Sequence, residues 1–369
     1  MIASIYRMFN QLVLRLSLPA LMALSLALPA PTFAVDNIAV LLPQQGRLTQ
    51  VGQSIRDGLL AAYYQDSQSH PDTPRLRFYD SADAPATELV ATAAQQGADV
   101  IIGPLDRDQV QSLLNAGSPP LTVIALNRGE GSQPNLIQMS LAPEDEVSAL
   151  ARWMRERGIR QPHLLAQLGD SSAQRFLQLF EDAWQTPEAT RLPLHLLDST
   201  QKGGIAAAIK ALTEKTKGAD GFFLASPSLS SQAQPAMTYY GITSPLFTLS
   251  SAWEPTADAA TLQDLEGLGF CGLPWLLEDA TPAQQALYSA QPRPTANHDR
   301  LYALGADAMI VALSLPRVRN GEALHLHTGQ LQLNPQGHLI RLPTCAEIRH
   351  GMATIMLSPT LPDHPDHRR

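Results

Sequence analysis

The side chains that could bind or react lie in short polar stretches, each at the end of an apolar run. Gln44, Gln45, Gly46 and Arg47 follow the first run. Gly103, Pro104 and Arg107 follow the third, Asn127 and Arg128 the fourth, and Ser226 and Ser250 two later ones. Together they offer amides, hydroxyls and two or three guanidiniums, a set suited to a polar or acidic ligand, although loops at strand ends are polar in any case. Other chemistries lack their spacing. Gly46, Gly52 and Gly58 stand six apart, whereas a dinucleotide turn needs G-x-G-x-x-G directly after a strand. Gln201-Lys202-Gly203-Gly204 lacks the Walker spacing and reads as a helix start. No G-x-S-x-G elbow positions a nucleophilic serine. Asp106 and Asp108 read as solvated acids more readily than as a catalytic dyad. His325 and His327 alternate along a possible strand, and His364 and His367 lie near the C-terminus. None belongs to a cluster with zinc spacing, so no metal or other cofactor is expected and these histidines read as surface residues. No catalytic residue is assigned, and the chain is not expected to be an enzyme.

Aromatic side chains are the other candidates. Trp275, in Leu-Pro-Trp-Leu-Leu, and the Tyr239–Tyr240 pair could anchor a protein partner. Core packing is the competing role for Trp275. The two cysteines, Cys271 and Cys345, either pair or remain as separate buried thiols, since geometry is not readable from spacing.

The elements that must position these residues alternate regularly. Strand-like apolar runs at Asn37–Pro43, Leu76–Tyr79, Asp99–Gly103 and Leu121–Leu126 are separated by helical patterns. One of these places Val51, Ile55, Leu59 and Ala62 on a single face. A second set follows, with strands expected at His163–Leu168, Leu192–Leu197, Gly221–Ala225 and Leu246–Leu249. Its first helix opens at Pro143 with Glu144, Asp145 and Glu146 at the positive end and closes with arginines before Gly158, an arrangement that helix electrostatics explains. The last third carries a Gly-punctuated strand at Leu265–Cys271, an apolar helix at Leu301–Leu315 and a hairpin at Leu331–Ile340. These pieces are expected to complete lobes already begun. The fold class is therefore α/β, with two Rossmann-like lobes built on parallel sheets and several interlobe crossovers. Residues 35–139 and 266–325 are assigned to lobe 1, and residues 140–265 and 326–358 to lobe 2. Residues 359–369 are expected to form a disordered tail.

Export is expected from the N-terminus. Arg7 and Arg15 are the only charges before Asp36, an apolar run follows, and the segment ends at Ala34 after Pro29 and Pro31. Residues 1–34 therefore read as a cleaved signal peptide, and the expected location is the periplasm. No cysteine stands at the cleavage point, so lipid anchoring is not expected, and no later segment is long and apolar enough to span a membrane. Without the leader's two arginines, 24 basic and 34 acidic side chains leave a net charge of −10. This balance argues against nucleic acid and anionic lipid as partners and permits a basic protein.

Several segments carry a resemblance. Ile38–Arg47 followed by Val51–Gly58 is similar to the first βα unit of type I periplasmic binding folds. Val100–Leu105, Ala125–Asn127, Ser140–Glu146, Phe270–Leu277, Leu304–Ala308 and the Thr328–Arg341 hairpin follow in the order of one family. The chain thus resembles the C-terminal domain of the penicillin-binding protein activator family (LppC/LpoA) across nearly all of its mature length. That resemblance implies a non-enzymatic regulator whose partner is a class A penicillin-binding protein, a peptidoglycan synthase. Two family features, a lipobox cysteine and a helical-repeat N-terminal region, have no counterpart in this sequence. The alternative is a periplasmic solute receptor for a small polar ligand. Amino-acid receptors of the wider fold place hydroxyl residues after the third and fourth strands. Here those strands run into Pro104–Asp108, without a hydroxyl, and Leu126–Gly129.

Overall fold

The computed structural model describes residues 35–70, 72–185, 192–290 and 296–356. The leader 1–34 and the tail 359–369 expected from the sequence lie outside them, as do His364 and His367. The first sheet has the order β2-β1-β3-β4-β5, from β1 (Asn37–Leu42), β2 (Arg75–Asp80), β3 (Val100–Ile102), β4 (Thr122–Ala125) and β5 (Leu136–Gln138). All its pairings are parallel. Strand β1 is apolar from Ile38 onward because it is central and covered on both faces. The covering helices are α1 (Thr49–Ser69), α2 (Ala86–Gln95) and α3 (Arg107–Ala116). Strand β5 was not foreseen: its three residues are too few for periodicity to show.

The chain then enters the second lobe through α4 (Pro143–Glu156). It continues through β6 (His163–Gln167), α5 (Ser171–Trp184), β7 (Leu194–Leu197), α6 (Gly204–Leu212), β8 (Phe222–Leu224), α7 (Ser230–Tyr239), β9 (Leu246–Thr248), α8 (Ala259–Asp264) and β10 (Gly269–Gly272). It returns to the first lobe with α9 (Pro274–Leu277), α10 (Pro282–Ala290), α11 (Ala296–Leu313), α12 (Leu315–Arg319), β11 (Leu324–Leu326), β12 (Gly329–Leu333) and β13 (Leu339–Leu342). A last crossover leads to β14 (Thr344–Arg349) and β15 (Met352–Ile355). The second sheet has the order β15-β14-β10-β9-β8-β6-β7.

The lobe boundaries differ from those expected. Strand β10 pairs with β9 and β14, so residues 266–272 belong to the second lobe. Strands β11–β13 form a small antiparallel sheet whose Leu324, Leu331 and Leu339 join the core of the first lobe. The crossovers therefore lie at 139–142, 273 and 343. Hydrophobic pattern identifies strands but does not say which core accepts them, and here the order of pairing decided.

Helices α1 and α11 cross at backbone contact. A Cβ on Gly58 would lie 1.9 Å from the Tyr302 carbonyl oxygen, and one on Gly305 would lie 1.9 Å from that of Ile55. Two of the six-spaced glycines are thereby accounted for, because Gly52 likewise meets the Pro43 carbonyl, at 2.5 Å. Both are packing positions in a helix.

Cys271 and Cys345 stand directly opposite each other on antiparallel β10 and β14 and form a disulfide. The pairing that the sequence left open thus rests on a strand, β14, that the sequence reading did not identify.

Candidate functional site

In the first lobe the predicted strand-end residues mostly bond to their own neighbourhood. The Gln44 amide donates to Asp80 Oδ1 at 2.9 Å, and Gln45 Nε2 donates to Asp83 Oδ1 at 2.8 Å. Burial raises the Asp80 carboxyl, but the amides of Gln44 and Ala82 outweigh it and hold Asp80 below the usual carboxylate range. Arg47 is exposed and reaches Asp106 at 3.8 Å, while Arg107 reaches Glu130 at 3.6 Å; such solvated pairs contribute little. Gly103 has a φ of +104°, and a Cβ there would lie 2.0 Å from the Leu41 carbonyl oxygen, so it is a packing requirement preceding Pro104. Asn127 ties two loops together, donating to the Leu105 carbonyl at 3.1 Å and accepting from the Arg128 amide at 2.9 Å.

The second lobe repeats this pattern. Asp170 caps α5, accepting from the Ser172 amide at 2.9 Å, and also accepts from Ser226 Oγ at 2.7 Å. Ser226 is fully buried and accepts from the Gln167 amide at 3.0 Å. The Ser226 hydrogen bond is the main reason the Asp170 carboxyl lies below its ordinary range. At the ends of the strands, then, helix N-termini and turn amides that could greet an anion are occupied by the chain's own carboxylates: Asp80, Asp106, Asp170 and Asp198.

Ser250 differs, because it faces the boundary between the lobes. Its amide donates to Glu146, its hydroxyl accepts from Arg300 Nη1 at 2.9 Å, and its carbonyl accepts from Arg300 Nη2 at 3.3 Å. Next to it Arg128 Nη2 contacts both Asp145 oxygens, at 3.0 and 2.8 Å, and the Leu339 carbonyl at 3.0 Å. Arg341 lies 3.6 Å from Asp145 and donates to the Ser140 carbonyl. The three guanidiniums come from the first lobe and the two carboxylates from the second. Burial raises both carboxyls, and Arg128 and Arg341 beside Asp145, with the Ser250 amide and Arg300 beside Glu146, pull in the other direction. A cavity of about 170 Å³ opens at this point, bordered by Glu146, Ser250, Leu273, Arg300 and Arg341.

Helix electrostatics had accounted for Asp145 and Glu146 in the sequence reading. Of that acidic triplet only Glu144 is an ordinary surface acid, paired with Arg175 at 2.7 Å. The available signal was position: Asp145 precedes buried Ala149 by one turn, so it lies on the apolar face of α4. Arg341 carries a similar mark, alternating with buried Leu339 along β13.

Trp275 is 1% exposed and packs in the first-lobe core, edge-on to His327 with ring centroids 5.3 Å apart. Its partner-anchor role is therefore withdrawn in favour of core packing. Tyr239 is 82% exposed and stands edge-on to Tyr240 at 5.0 Å. His325 is exposed, as expected, but His327 is not a surface histidine. Its amide and Nδ1 both bond to fully buried Asp307, at 3.0 and 2.6 Å, and Thr328 supplies two more bonds to the same carboxylate. Among the described residues no His, Cys, Asp and Glu cluster has metal-holding geometry, and no helix is long and apolar enough to cross a membrane.

Two lobes, one on a parallel sheet and one on a mostly parallel sheet, joined by three crossovers, define a two-lobed protein with a fold of the periplasmic-binding type. The model of the family described as "LppC putative lipoprotein" matches residues 18–351, and the chain belongs to that family. A relative from Pectobacterium parmentieri, named penicillin-binding protein activator LpoA, is 26% identical over 331 residues, covering 76% of this chain and 48% of its own length. The chain spans about half the length of the curated relatives it matches. The LpoA C-domain from Haemophilus influenzae, described as "a regulator of PBP1A", superposes with a TM-score of 0.73 at 23% identity, covering 87% of this chain and all of that domain. A structure from Chromobacterium violaceum, described as a "putative branched-chain amino acid ABC transporter", superposes at 0.69 with 28% identity, covering 85% and 99%.

Proposed function

We propose that this chain is a non-enzymatic periplasmic regulator that binds and activates a class A penicillin-binding protein in peptidoglycan synthesis. The observation that carries the reading is its place in a family whose relatives are named penicillin-binding protein activator, supported by a shared fold with an LpoA C-domain over 87% of this chain. The strand-end loops favour it over solute capture, because their anion-accepting amides already hold the chain's own carboxylates. Export by the leader 1–34 would place it beside a synthase, and a net charge of −10 for the mature chain suits a basic contact surface on that partner.

The test is reconstitution. Mature protein and a class A synthase of the same organism should co-purify, and glycan-strand or crosslink formation should accelerate when the two are mixed. Absence of both binding and stimulation with every class A synthase of that organism sinks the reading. The likeness to the Chromobacterium violaceum structure favours a second reading, a solute receptor. It predicts ligand binding that is lost when Gln44, Arg47 or Asn127 is changed.

A further inference from the structure

The cavity at the lobe boundary has no role in the regulator reading. Its volume of about 170 Å³ is close to that of cavities that admit benzene, roughly 150 Å³, so an occupant of about five to eight non-hydrogen atoms fits. Asp145, Glu146, Arg300 and Arg341 line it, and two of these are committed: Arg341 holds Asp145, as does Arg128 from behind the wall. The remaining two are Arg300, from α11 of the first lobe, and Glu146, from α4 of the second. Neither has an ion-pair partner within 4 Å among the described residues, and each hydrogen-bonds to Ser250. Both keep part of their surface open to the cavity. Leu141, Leu273 and Pro343 contribute apolar wall beside them. Side chains of opposite charge type at one cleft, with apolar wall beside them, complement a molecule carrying both signs.

We propose that this cavity binds a small zwitterion, an α-amino acid with a short side chain. Its carboxylate takes the free donors of Arg300, its ammonium takes Glu146, and its side chain lies against Leu141 and Leu273. The guanidinium fork suits a planar carboxylate, and the carboxylate of Glu146 suits a compact ammonium. Because the two charges come from different lobes, an occupant ties the lobes together at the crossovers. Of the strand-end residues only Ser250 borders the site; Gln44, Arg47 and Asn127, on which the receptor reading is tested, do not, and the site does not depend on whether the chain engages a synthase.

The experiment uses the mature chain with glycine, L-alanine, D-alanine and L-serine, and with acetate and ethylamine as single-charge probes. Thermal shift and titration calorimetry are the readouts. At least one amino acid is expected to raise the melting temperature at millimolar concentration, while neither single-charge probe does so. Glu146→Gln and Arg300→Gln should each weaken binding at least tenfold, and Gln45→Ala should leave it unchanged. Near-UV circular dichroism checks the fold, and Arg300→Lys, which keeps the charge but loses the fork, stands in if Arg300→Gln misfolds. The proposal is overturned if no amino acid binds, if acetate binds as well as alanine, if both charge-removing variants bind like the wild type, or if Gln45→Ala abolishes binding.

Discussion

Replacing Gly305 with alanine is expected to destabilise the first lobe, against the sign that helix propensity alone would give. In an exposed helix the change stabilises by about 1 kcal/mol. Here the added Cβ would stand 1.9 Å from the Ile55 carbonyl oxygen and 2.8 Å from its carbon. Relief requires α1 and α11 to separate by more than about 1 Å, and a gap of ~0.5–1 Å already forfeits a quarter to a half of each dispersion contact. Ile55, Leu59, Ala303 and Ala306 are buried in that core and would all feel the separation. Overpacking of this kind costs about 1–3 kcal/mol and at times more, and backbone on both sides puts this site at the upper end. A net loss of roughly 2–3 kcal/mol should lower the melting temperature by on the order of 5–10 °C. Urea midpoints of wild type, Gly58→Ala, Gly305→Ala and the double variant measure it. The clash at Gly58 is the mirror of that at Gly305, so one separation relieves both, and the double variant should cost clearly less than the sum. A Gly305→Ala protein as stable as wild type, or strictly additive losses, would refute the backbone-contact argument.

Three further outcomes are expected. Replacing Cys271 and Cys345 with alanine opens a 74-residue loop and should lower stability by up to about 4 kcal/mol, read from denaturation midpoints; equal midpoints with and without the bond would contradict this. Ser226→Ala should cost about 1–3 kcal/mol by leaving the part-buried Gln167 amide without its acceptor, while the Asp170 carboxyl rises toward its ordinary range but stays held down by the Ser172 and Ala173 amides, observable by NMR. Burial raises the Glu347 carboxyl, but Arg157 at 2.7 Å and Arg349 at 3.1 Å outweigh it and hold the carboxyl below the ordinary glutamate range. Its contribution is therefore present above the unfolded-state value, about pH 4.3, and fades as the pH falls through the depressed folded value. Glu347→Gln should be less stable than wild type at pH 7 and converge with it once the pH has fallen through the depressed folded value; a pH-independent gap would count against the ion pairs as its cause.

Much of this architecture is legible in the order of residues. Continuous apolar runs such as Ile38–Leu42 and Val100–Ile102 could only be strands buried on both faces, and their alternation with amphipathic helices implied parallel sheets in two lobes. The strand-end loops were located correctly for the same reason, since a parallel sheet places its loops at the strands' C-terminal ends. What they hold was not legible: Asp80 and Asp170 fill their own turns through bonds 36 and 56 residues apart in sequence.

Local pattern thus determined the elements and their alternation, because periodicity acts over a few residues. Tertiary structure alone decided which lobe claimed β10 and the β11–β13 sheet, that Cys271 meets Cys345, and that Gly58 and Gly305 bring two helices into backbone contact. It also decided the fate of the α4 acids. Glu144, Asp145 and Glu146 are equivalent as charges at a helix N-terminus, but each successive residue turns by about 100° around the axis. That rotation leaves Glu144 in solvent with Arg175 and carries Asp145 and Glu146 to the lobe boundary, where Arg128, Arg300 and Arg341 arrive from distant parts of the chain.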